Sequence, residues 1–566
     1  MSSLTRRDFL HLAAAAGLAS AVDPFEALAA VSPEKFLEFD PLGNLTILFI
    51  TDPHAHLKPH YYREPSVNVS SKTMSKTPGH LAGEDFLKFY GVRPGGVEAY
   101  FGSSAGFDEL SRKYGKMGGF AHIATLVKNT RKDRGDRVLM LDGGDTWQGT
   151  AVALWTQGKA LVEAQNLLGV DAMAPHWEFT YGREIVDQRV KEFKGDFLAQ
   201  NIRDADWGDA VYPAYKIYDR GGVRVGVIGQ SFPYVPIAHP ADLSAGLTFG
   251  IQPERLQGYV NEIRDGKKAD VVALLSHNGL EVDKKLASKV SGIDFLISAH
   301  THEAIFEPIV VNNTVVVQAG THGKFLGRID ADVRGGKVVK YRYKLIPVLS
   351  SAIPADPQMQ SLIDKEYAPY NAKLDEKLGV ADVTLYRRDT FYGTFDHVIM
   401  EAIKGVYDSE IVFSPAYRWG ATVPAGSQIT LDDVFNVTAV TYPNVYTFDM
   451  KGEQLKLILE DVCDNVFNPD PFFQQGGDMS RLLGVTYDCH VNGAAFDRLH
   501  NIMVNGKPLD PNRKYKISAW GGNMYRAGEN VRPETKPVYE IVADYIKRKG
   551  RVGAPAESNV RVVGEV

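Results

Sequence analysis

Residues 45–56 read Leu-Thr-Ile-Leu-Phe-Ile-Thr-Asp-Pro-His-Ala-His. The first six are apolar or β-branched, which is the pattern of a strand buried on both faces. The chain then turns polar and presents Asp52 and His54 two positions apart. Residues i and i+2 of an extended backbone point the same way, so one carboxylate and one imidazole are expected to bind one ion. Such a site belongs at the carboxyl end of a strand, where α/β sheets place their chemistry.

From about residue 33 to residue 345, short apolar runs alternate with amphipathic helical stretches, which is typical of an α/β domain. Strands are predicted at 138–141, 223–228, 271–275, 295–297 and 315–318. Helices are predicted at 120–132, 160–168, 253–265 and 283–290.

A chain of 566 residues exceeds what one core normally supports. We expect a first domain over 31–350, a linker helix over 351–379 and a second domain over 380–566. The segment 58–116 is too long for an ordinary connection and is expected to be an insertion or lid.

Composition excludes several classes of protein. A formal net charge of −6 argues against nucleic-acid binding, and 44% hydrophobic residues fit a globular protein. No apolar run is long enough for a membrane span. Cys463 and Cys489 are either a disulfide pair or two free thiols, and neither lies in a nucleophile or thiolate-metal pattern.

The amino terminus carries the features of an export signal. Arg6-Arg7 precedes an alanine-rich apolar segment and an Ala-Leu-Ala cleavage-type site at 27–29. We expect residues 1–30 to be a twin-arginine signal peptide and the mature protein to be periplasmic and exported folded.

Four further polar clusters follow strand-like runs or short turns. They present Asp145 in Gly-Gly-Asp-Thr-Trp-Gln-Gly, His176 in His-Trp-Glu-Phe-Thr, His277 before Asn-Gly, and His300 and His302 in His-Thr-His. A single histidine after a strand is usually structural. Histidine or aspartate in every cluster instead indicates a shared site.

With Asp52 and His54, these clusters supply two carboxylates and five imidazoles, enough for two divalent ions that share Asp145. Oxygen and nitrogen ligands without thiolate suit manganese, zinc or iron better than calcium.

The order of these motifs resembles the calcineurin-like metallophosphoesterase superfamily in its 5′-nucleotidase branch. That resemblance implies an α/β fold with a four-layer β-sandwich flanked by helices and a second, C-terminal α+β domain. It also implies one metal at Asp52, His54, Asp145 and His302, and another at Asp145, His176, His277 and His300. His56 has no counterpart in the resemblance and is expected to be exposed or to lie behind the ligands.

The departure from that family that bears on function lies in the motif at residues 176–180, and Ala174-Pro175 and Ala299 also replace glycines of the wider superfamily. Where a nucleotidase has Asn-His-Glu-Phe-Asp, this chain has His176-Trp177-Glu178-Phe179-Thr180. Trp177 and Thr180 thus replace the pair that would act on a departing alkoxide, which is strongly basic and needs such help. A leaving group that is already a stable anion, such as a persulfide, needs none.

The His-Trp-Glu-Phe-Thr-Tyr-Gly and Gly-Gly-Asp-Thr-Trp-Gln-Gly runs and the twin-arginine leader also resemble the thiosulfohydrolase (sulfate thiol esterase) family of the Sox thiosulfate-oxidation system. That resemblance implies two manganese ions, a hydroxide that they activate, and a cysteine S-thiosulfonate substrate on the arm of the SoxYZ carrier. Sulfate is the implied product, and a narrow channel for the arm is expected between the domains. The residues expected to act on the substrate are Arg418, Tyr417, Trp177, Asp478 and His239, with Tyr234 also bordering the site.

Two other functions remain open. One is a periplasmic 5′-nucleotidase or phosphodiesterase, which predicts aromatic residues of the second domain placed to sandwich a base. The other is a metal-dependent oxyanion-binding protein without catalysis.

Overall fold

The computed structural model describes residues 37–555 and 558–564. The expected signal peptide, residues 1–30, lies outside the described residues. No helix in the described part of the chain is both long and apolar enough to cross a bilayer.

Two six-stranded sheets form the centre of the N-terminal domain. The first has the spatial order Lys337–Pro347, Phe325–Arg334, Leu45–Ile50, Val138–Asp142, Ala172–Met173 and Asp196–Phe197. The second has the order Ile309–Val311, Thr314–Val317, Phe295–Ile297, Val271–Ser276, Val223–Gln230 and Tyr215–Arg220. Leu45–Ile50 runs parallel to Val138–Asp142 and antiparallel to Phe325–Arg334, so it lies inside its sheet and is fully buried.

The two sheets face each other and carry helices on their outer faces. Ile47 and Phe49 point into the core between the sheets, whereas Leu48 and Ile50 point to the other face. The helices of the domain are Gly83–Tyr90, Val97–Gly102, Phe107–Tyr114, Phe120–Arg134, Ala151–Thr156, Lys159–Leu168, Arg183–Glu192, Val235–Ala238, Pro253–Asp265 and Leu280–Lys289. The result is the expected four-layer sandwich flanked by helices.

The segment 351–379 contains two helices, Pro357–Tyr367 and Asn371–Leu374, in place of the single linker helix expected. The next strand already begins at Lys377.

The C-terminal domain is an α+β unit. Its helices are Thr394–Lys404, Leu431–Thr438, Gly452–Phe467 and Val538–Lys549. Its larger sheet has the order Arg481–Leu483, Ile411–Ser414, Lys514–Trp520, Asn444–Lys451 and Glu529–Pro537. A three-stranded sheet has the order Gln428–Thr430, Lys377–Ala381 and Arg551–Val552. A four-stranded sheet has the order Lys507–Pro508, Leu499–Val504, Val485–His490 and Val560–Val563.

The segment 58–116 packs against both domains. Its three helices bury Phe86, Tyr100 and Leu110 in the core of the N-terminal domain. Its start is bound to the C-terminal domain, because the backbone N–H groups of Ser66 and Val67 donate to Asp389. The insertion is therefore a packed part of the structure.

Candidate metal centre

The predicted ligands sit on turns with an unusual backbone. Asp52, His54 and Asp145 have φ values of 51°, 43° and 57°, and His300 and His302 have 78° and 70°. The expectation that Asp52 and His54 share one face of an extended backbone is therefore wrong. A left-handed conformation costs a non-glycine residue about 1–3 kcal/mol, and such strain collects at functional sites.

Backbone hydrogen bonds hold the first two turns together. The N–H of Asp52 donates to the carbonyl of Gly144 at 3.1 Å, and that of His54 donates to the carbonyl of Asp145 at 2.9 Å. A side chain on Gly144 would place its Cβ 2.0 Å from the carbonyl oxygen of Ala174, so this position requires glycine. The close approach brings the Asp145 carboxylate next to the end of the first strand.

One group of ligand atoms belongs to Asp52, His54, Asp145 and His302, and these atoms all lie within 4.8 Å of one another. The Nε2 atoms of His54 and His302 are 3.1 Å apart. His54 Nδ1 is 3.3 Å from Oε1 of Gln148, which can only accept, so Nδ1 carries the proton and Nε2 keeps its lone pair. The side chains thus present lone pairs to a common point.

The second group consists of Asp145, His176, His277 and His300, again within 4.8 Å. His277 Nε2 is 3.1 Å from Asp145 Oδ2, and His176 Nδ1 is 3.2 Å from Asp145 Oδ1. The two oxygens of Asp145 therefore face different histidines. His277 Nδ1 donates to the carbonyl of Gly143 at 2.5 Å, which leaves its Nε2 for a ligand.

The donor set fits two divalent ions. Asp52 Oδ2 and His176 Nε2 are buried and have no hydrogen-bond partner, an arrangement that is costly unless something binds there. One shared carboxylate with imidazoles on both sides is the donor chemistry of a dimetal hydrolase.

The ionisation of the ligands also suits metal binding. Burial lowers the pKa of His54 to about 4, and burial with the nearby His176 lowers the pKa of His300. Burial also disfavours the charged form of His277, but the Asp145 carboxylate overrides it and raises the pKa of His277 to about 10. Without metal, His277 therefore carries the proton that a cation would displace.

Positions 177 and 180, which correspond to the nucleotidase pair, carry tryptophan and threonine. The Trp177 backbone N–H donates to Asp145 Oδ1 at 2.8 Å, and its ring lies 4.4 Å from that of His239. The Thr180 hydroxyl is 3.1 Å from that of Thr441. Burial and the neighbouring His176 lower the pKa of His239 to about 3, so this imidazole is neutral at pH 7.

Glu178, which the motif retains, connects two of the ligand turns. Its carboxylate accepts from the N–H groups of Thr146 at 2.8 Å and His176 at 2.7 Å. Burial and the Asp145 charge raise the pKa of Glu178 to about 7.

Arg418 reaches the site from the C-terminal domain. Its Nη1 donates to the carbonyl of Thr301 at 3.2 Å and its Nε to Asp478 at 3.2 Å. Asp478 also accepts from Arg388 at 2.9 Å, so it is the counter-ion of both arginines. Its Nη2 donates to the carbonyl of Gly477 at 2.7 Å, so two of its five N–H groups have no hydrogen-bond partner in the described part of the chain and can bind an oxyanion.

Three aromatic side chains of the C-terminal domain near the site pack on one another. Tyr417 stacks on Trp419 with ring centroids 5.5 Å apart, and Trp520 lies 6.1 Å from Tyr417. Trp419 and Trp520 are each 1% exposed. Tyr417 thus belongs to a filled cluster, and Tyr234 contacts the carbonyl of Phe472 at the outer edge.

Two small cavities border the metal centre. One, of about 30 Å³, is lined by His302, Glu303 and Arg388, and the other, of about 40 Å³, is lined by Thr301 and Arg418. Sites for drug-sized ligands usually measure about 300–1,000 Å³. Each of these two cavities is much smaller than that.

Several residues of the site are not among the sequence predictions. His322 lies 5.4 Å from His54 by ring centroids, and its Nε2 accepts from the N–H of Gly420 at 3.0 Å. It follows the strand Thr314–Val317 in a Gly-Thr-His-Gly run, so the signal used for the other clusters would have found it. His56, expected to be exposed or behind the ligands, is 3% exposed and packs 4.6 Å from His322. No sequence motif marks Arg388 as a residue of the site.

Three comparisons place this architecture among known proteins. Residues 376–531 match the family model of the 5′-nucleotidase C-terminal domain. The structure of the Thermus thermophilus sulfate thiohydrolase SoxB superposes with a TM-score of 0.90 and 40% identity, covering 94% of this chain and 98% of that one. A 5′-nucleotidase precursor from Thermus thermophilus has a TM-score of 0.74 at 21% identity over 92% of this chain and 100% of its own, a likeness in fold.

A bovine 5′-nucleotidase is 31% identical over 286 residues, which are 46% of this chain and 48% of that protein. The chain spans about half the length of this relative.

The chain belongs to the 5′-nucleotidase branch of the metallophosphoesterase superfamily, a family of dimetal hydrolases. Within that branch it is similar to SoxB over nearly the full length of both chains.

Proposed function

We propose that this protein releases sulfate from a cysteine S-thiosulfonate carried on a SoxYZ-type carrier protein. The observation that carries the proposal is the pair Trp177 and Thr180, which replaces a proton donor with an indole and a hydroxyl bound to Thr441. An alkoxide leaves poorly without a proton, whereas a persulfide is weakly basic and leaves as an anion. The site therefore suits cleavage of a sulfur–sulfur bond.

The metal ions would be bound by residues of the N-terminal domain. Two sets of residues would hold two divalent ions, for which we propose manganese. The first set is Asp52, His54, Asp145 and His302, and the second is Asp145, His176, His277 and His300. Such ions supply Lewis acidity and a water of lowered pKa.

Arg418 would hold the sulfonate. Its guanidinium is aimed at the ligand turns through Thr301, and Asp478 fixes its orientation. As the sulfur–sulfur bond breaks and its electron pair leaves with the persulfide, the two free N–H groups can bind sulfonate oxygens in the planar geometry that a guanidinium favours. The water oxygen becomes the fourth oxygen of sulfate, and the two protons of that water are released to solvent.

The narrow cavities support a thin substrate. A carrier arm with a sulfonate at its tip needs less width than a nucleotide, whose base would need a slot beside the metal centre. Trp419 and Trp520 are buried against Tyr417 and therefore present no free ring face to a base. Trp177 and His239 would form the wall along which the arm lies.

A second candidate is 5′-nucleotide hydrolysis. The match of residues 376–531 to the nucleotidase C-terminal domain and the likeness to the bovine enzyme favour it. Nucleotide hydrolysis by this chain requires a proton donor from outside residues 176–180, because Trp177 and Thr180 replace the pair found in the nucleotidase motif.

A periplasmic location, reached folded through the twin-arginine pathway, belongs to the same proposal. The support is Arg6-Arg7 and the apolar segment after it.

The test is sulfate release, measured by ion chromatography, from manganese-loaded protein and a carrier charged with thiosulfonate. Arg418→Lys should lower kcat about 10²-fold, because an ammonium lacks the planar pair of donors with which a guanidinium binds an oxyanion. Arg526→Lys, on the surface beside Asp242, is the matched control and should keep the wild-type rate. Absence of sulfate from the wild-type reaction would overturn the proposal.

A further inference from the structure

We propose that the backbone carbonyl of Gln475, in the C-terminal domain, orients the ligand His300 and so completes the second metal set. We call residues 474–478 the cover loop. The inference rests on the metal centre of the proposed function and is independent of the substrate.

The tautomer of His300 is set by the cover loop. His300 Nε2 lies 3.1 Å from the carbonyl oxygen of Gln475. A carbonyl can only accept, so Nε2 carries the proton and Nδ1 keeps the lone pair that a metal needs. His277 shows the same arrangement with the carbonyl of Gly143, but that partner lies in its own domain.

The first metal set has a parallel connection. Gln148, whose side-chain oxygen accepts from His54, donates through Nε2 to the carbonyl of Ala439 at 2.9 Å. Ala439 follows the helix Leu431–Thr438 of the C-terminal domain. One ligand of each metal set is therefore held, directly or through Gln148, by the second domain.

The cover loop fits closely on the imidazole. Gly476 has a φ of +73°, and a Cβ on it would lie 2.4 Å from His300 Nε2. The neighbouring Gly477 has a φ of +86°, and a Cβ there would meet nothing within 4 Å. Glycine is thus needed at 476 for contact with His300, whereas at 477 it is needed for backbone conformation alone.

The other side of the loop is fixed by charge. Arg418 donates to the carbonyl of Gly477 at 2.7 Å, and the carboxylate of Asp478 binds Arg418 and Arg388. The loop cannot shift away from His300 without breaking these contacts. Metal binding and seating of the loop should therefore stabilise each other, since linkage between two sites is reciprocal.

The experiment compares Gly476→Ala with Gly477→Ala in the full chain. Both replacements put an alanine at a positive φ, so they carry the same type of backbone strain, but Gly476→Ala alone displaces His300 or the loop. Manganese binding is measured by titration into metal-free protein, with bound metal counted by mass spectrometry. We expect Gly476→Ala to bind one of two ions about 10–100-fold more weakly, which is the usual effect of losing a partner of a ligand. Gly477→Ala should bind both ions as wild type does.

Equal metal affinity in the two variants would overturn the inference while leaving the proposed function intact. Wild-type protein that binds fewer than two ions would contradict the metal centre itself.

A second measurement needs no variant. In hydrogen exchange on wild-type protein, the amides of residues 474–478 should exchange more slowly with manganese than after chelation. Equal exchange in both states would also overturn the inference.

Discussion

Asp145 shows at the scale of one residue how the site is built. Its Oδ2 faces His277 at 3.1 Å and its Oδ1 faces His176 at 3.2 Å, while its own backbone is left-handed. The strain is retained because the carbonyl of Asp145 accepts from His54 and its carboxylate accepts from Trp177. One carboxylate thereby links both groups of ligands.

His277 gives a prediction about protons. Its pKa, raised to about 10 mainly by Asp145 against the effect of burial, keeps it protonated at pH 7 in the metal-free protein. A metal binds the deprotonated imidazole, so manganese loading should release about one proton. Below pH 10 the apparent affinity should rise with pH, by at most about tenfold per unit.

Calorimetric titration in two buffers of different protonation enthalpy measures that proton. The ionisation state assigned to His277 would be contradicted if the apparent binding heat were the same in both buffers and the affinity did not change between pH 6.5 and pH 8.5.

The sequence identifies the ligand residue types but not their backbone. The predicted extended run at Asp52 and His54 is a left-handed turn, because the N–H groups of these residues donate to the carbonyls of Gly144 and Asp145, far along the chain, and this overrides the local preference. Arg388 was missed for a similar reason. Its position beside His302 depends on packing between domains, which no local pattern encodes.

The insertion shows how one element connects the two domains. Glu64, at its start, forms an ion pair with Lys324, whose side chain is fully buried at the end of a turn behind the metal centre. Burial lowers the pKa of Lys324, and the Glu64 carboxylate opposes that effect. The pair joins the insertion to the N-terminal sandwich.

Removing one partner of this pair should be costly. Glu64→Gln leaves the Lys324 ammonium buried without a counter-ion and should destabilise the protein by about 3–5 kcal/mol in urea unfolding. The control is Glu163→Gln, which removes a partner of the exposed Lys365 and should change stability by less than about 1 kcal/mol. Equal effects of the two substitutions would show that the Glu64–Lys324 pair does not hold the insertion.

Regular elements are the part that the sequence predicts well. The strand at 295–297 and the helix at 253–265 match their predicted bounds, and the other predicted strands end within two residues of the prediction. These elements follow hydrophobic periodicity, which is local. The helices of the insertion and the break at residues 368–370 were not predicted, since they depend on contacts with other parts of the chain.

At the scale of the molecule, the two domains share apolar packing and enclose the site between them. Trp155 of the first domain packs 5.0 Å from Phe435 of the second by ring centroids. Arg418 and the cover loop extend from the second domain to the ligand turns of the first. The sequence predicted both domains and a site between them, but the width of that space follows from side chains that meet only in the folded chain.

The central claim is that a metal centre without a donor for an alkoxide acts on a sulfur–sulfur bond. Its most direct test is one manganese-loaded preparation assayed in parallel for sulfate from thiosulfonate-charged carrier and for phosphate from AMP. We predict rapid sulfate release and no phosphate above the background of metal-free protein. Phosphate from AMP without sulfate from the carrier would contradict the account.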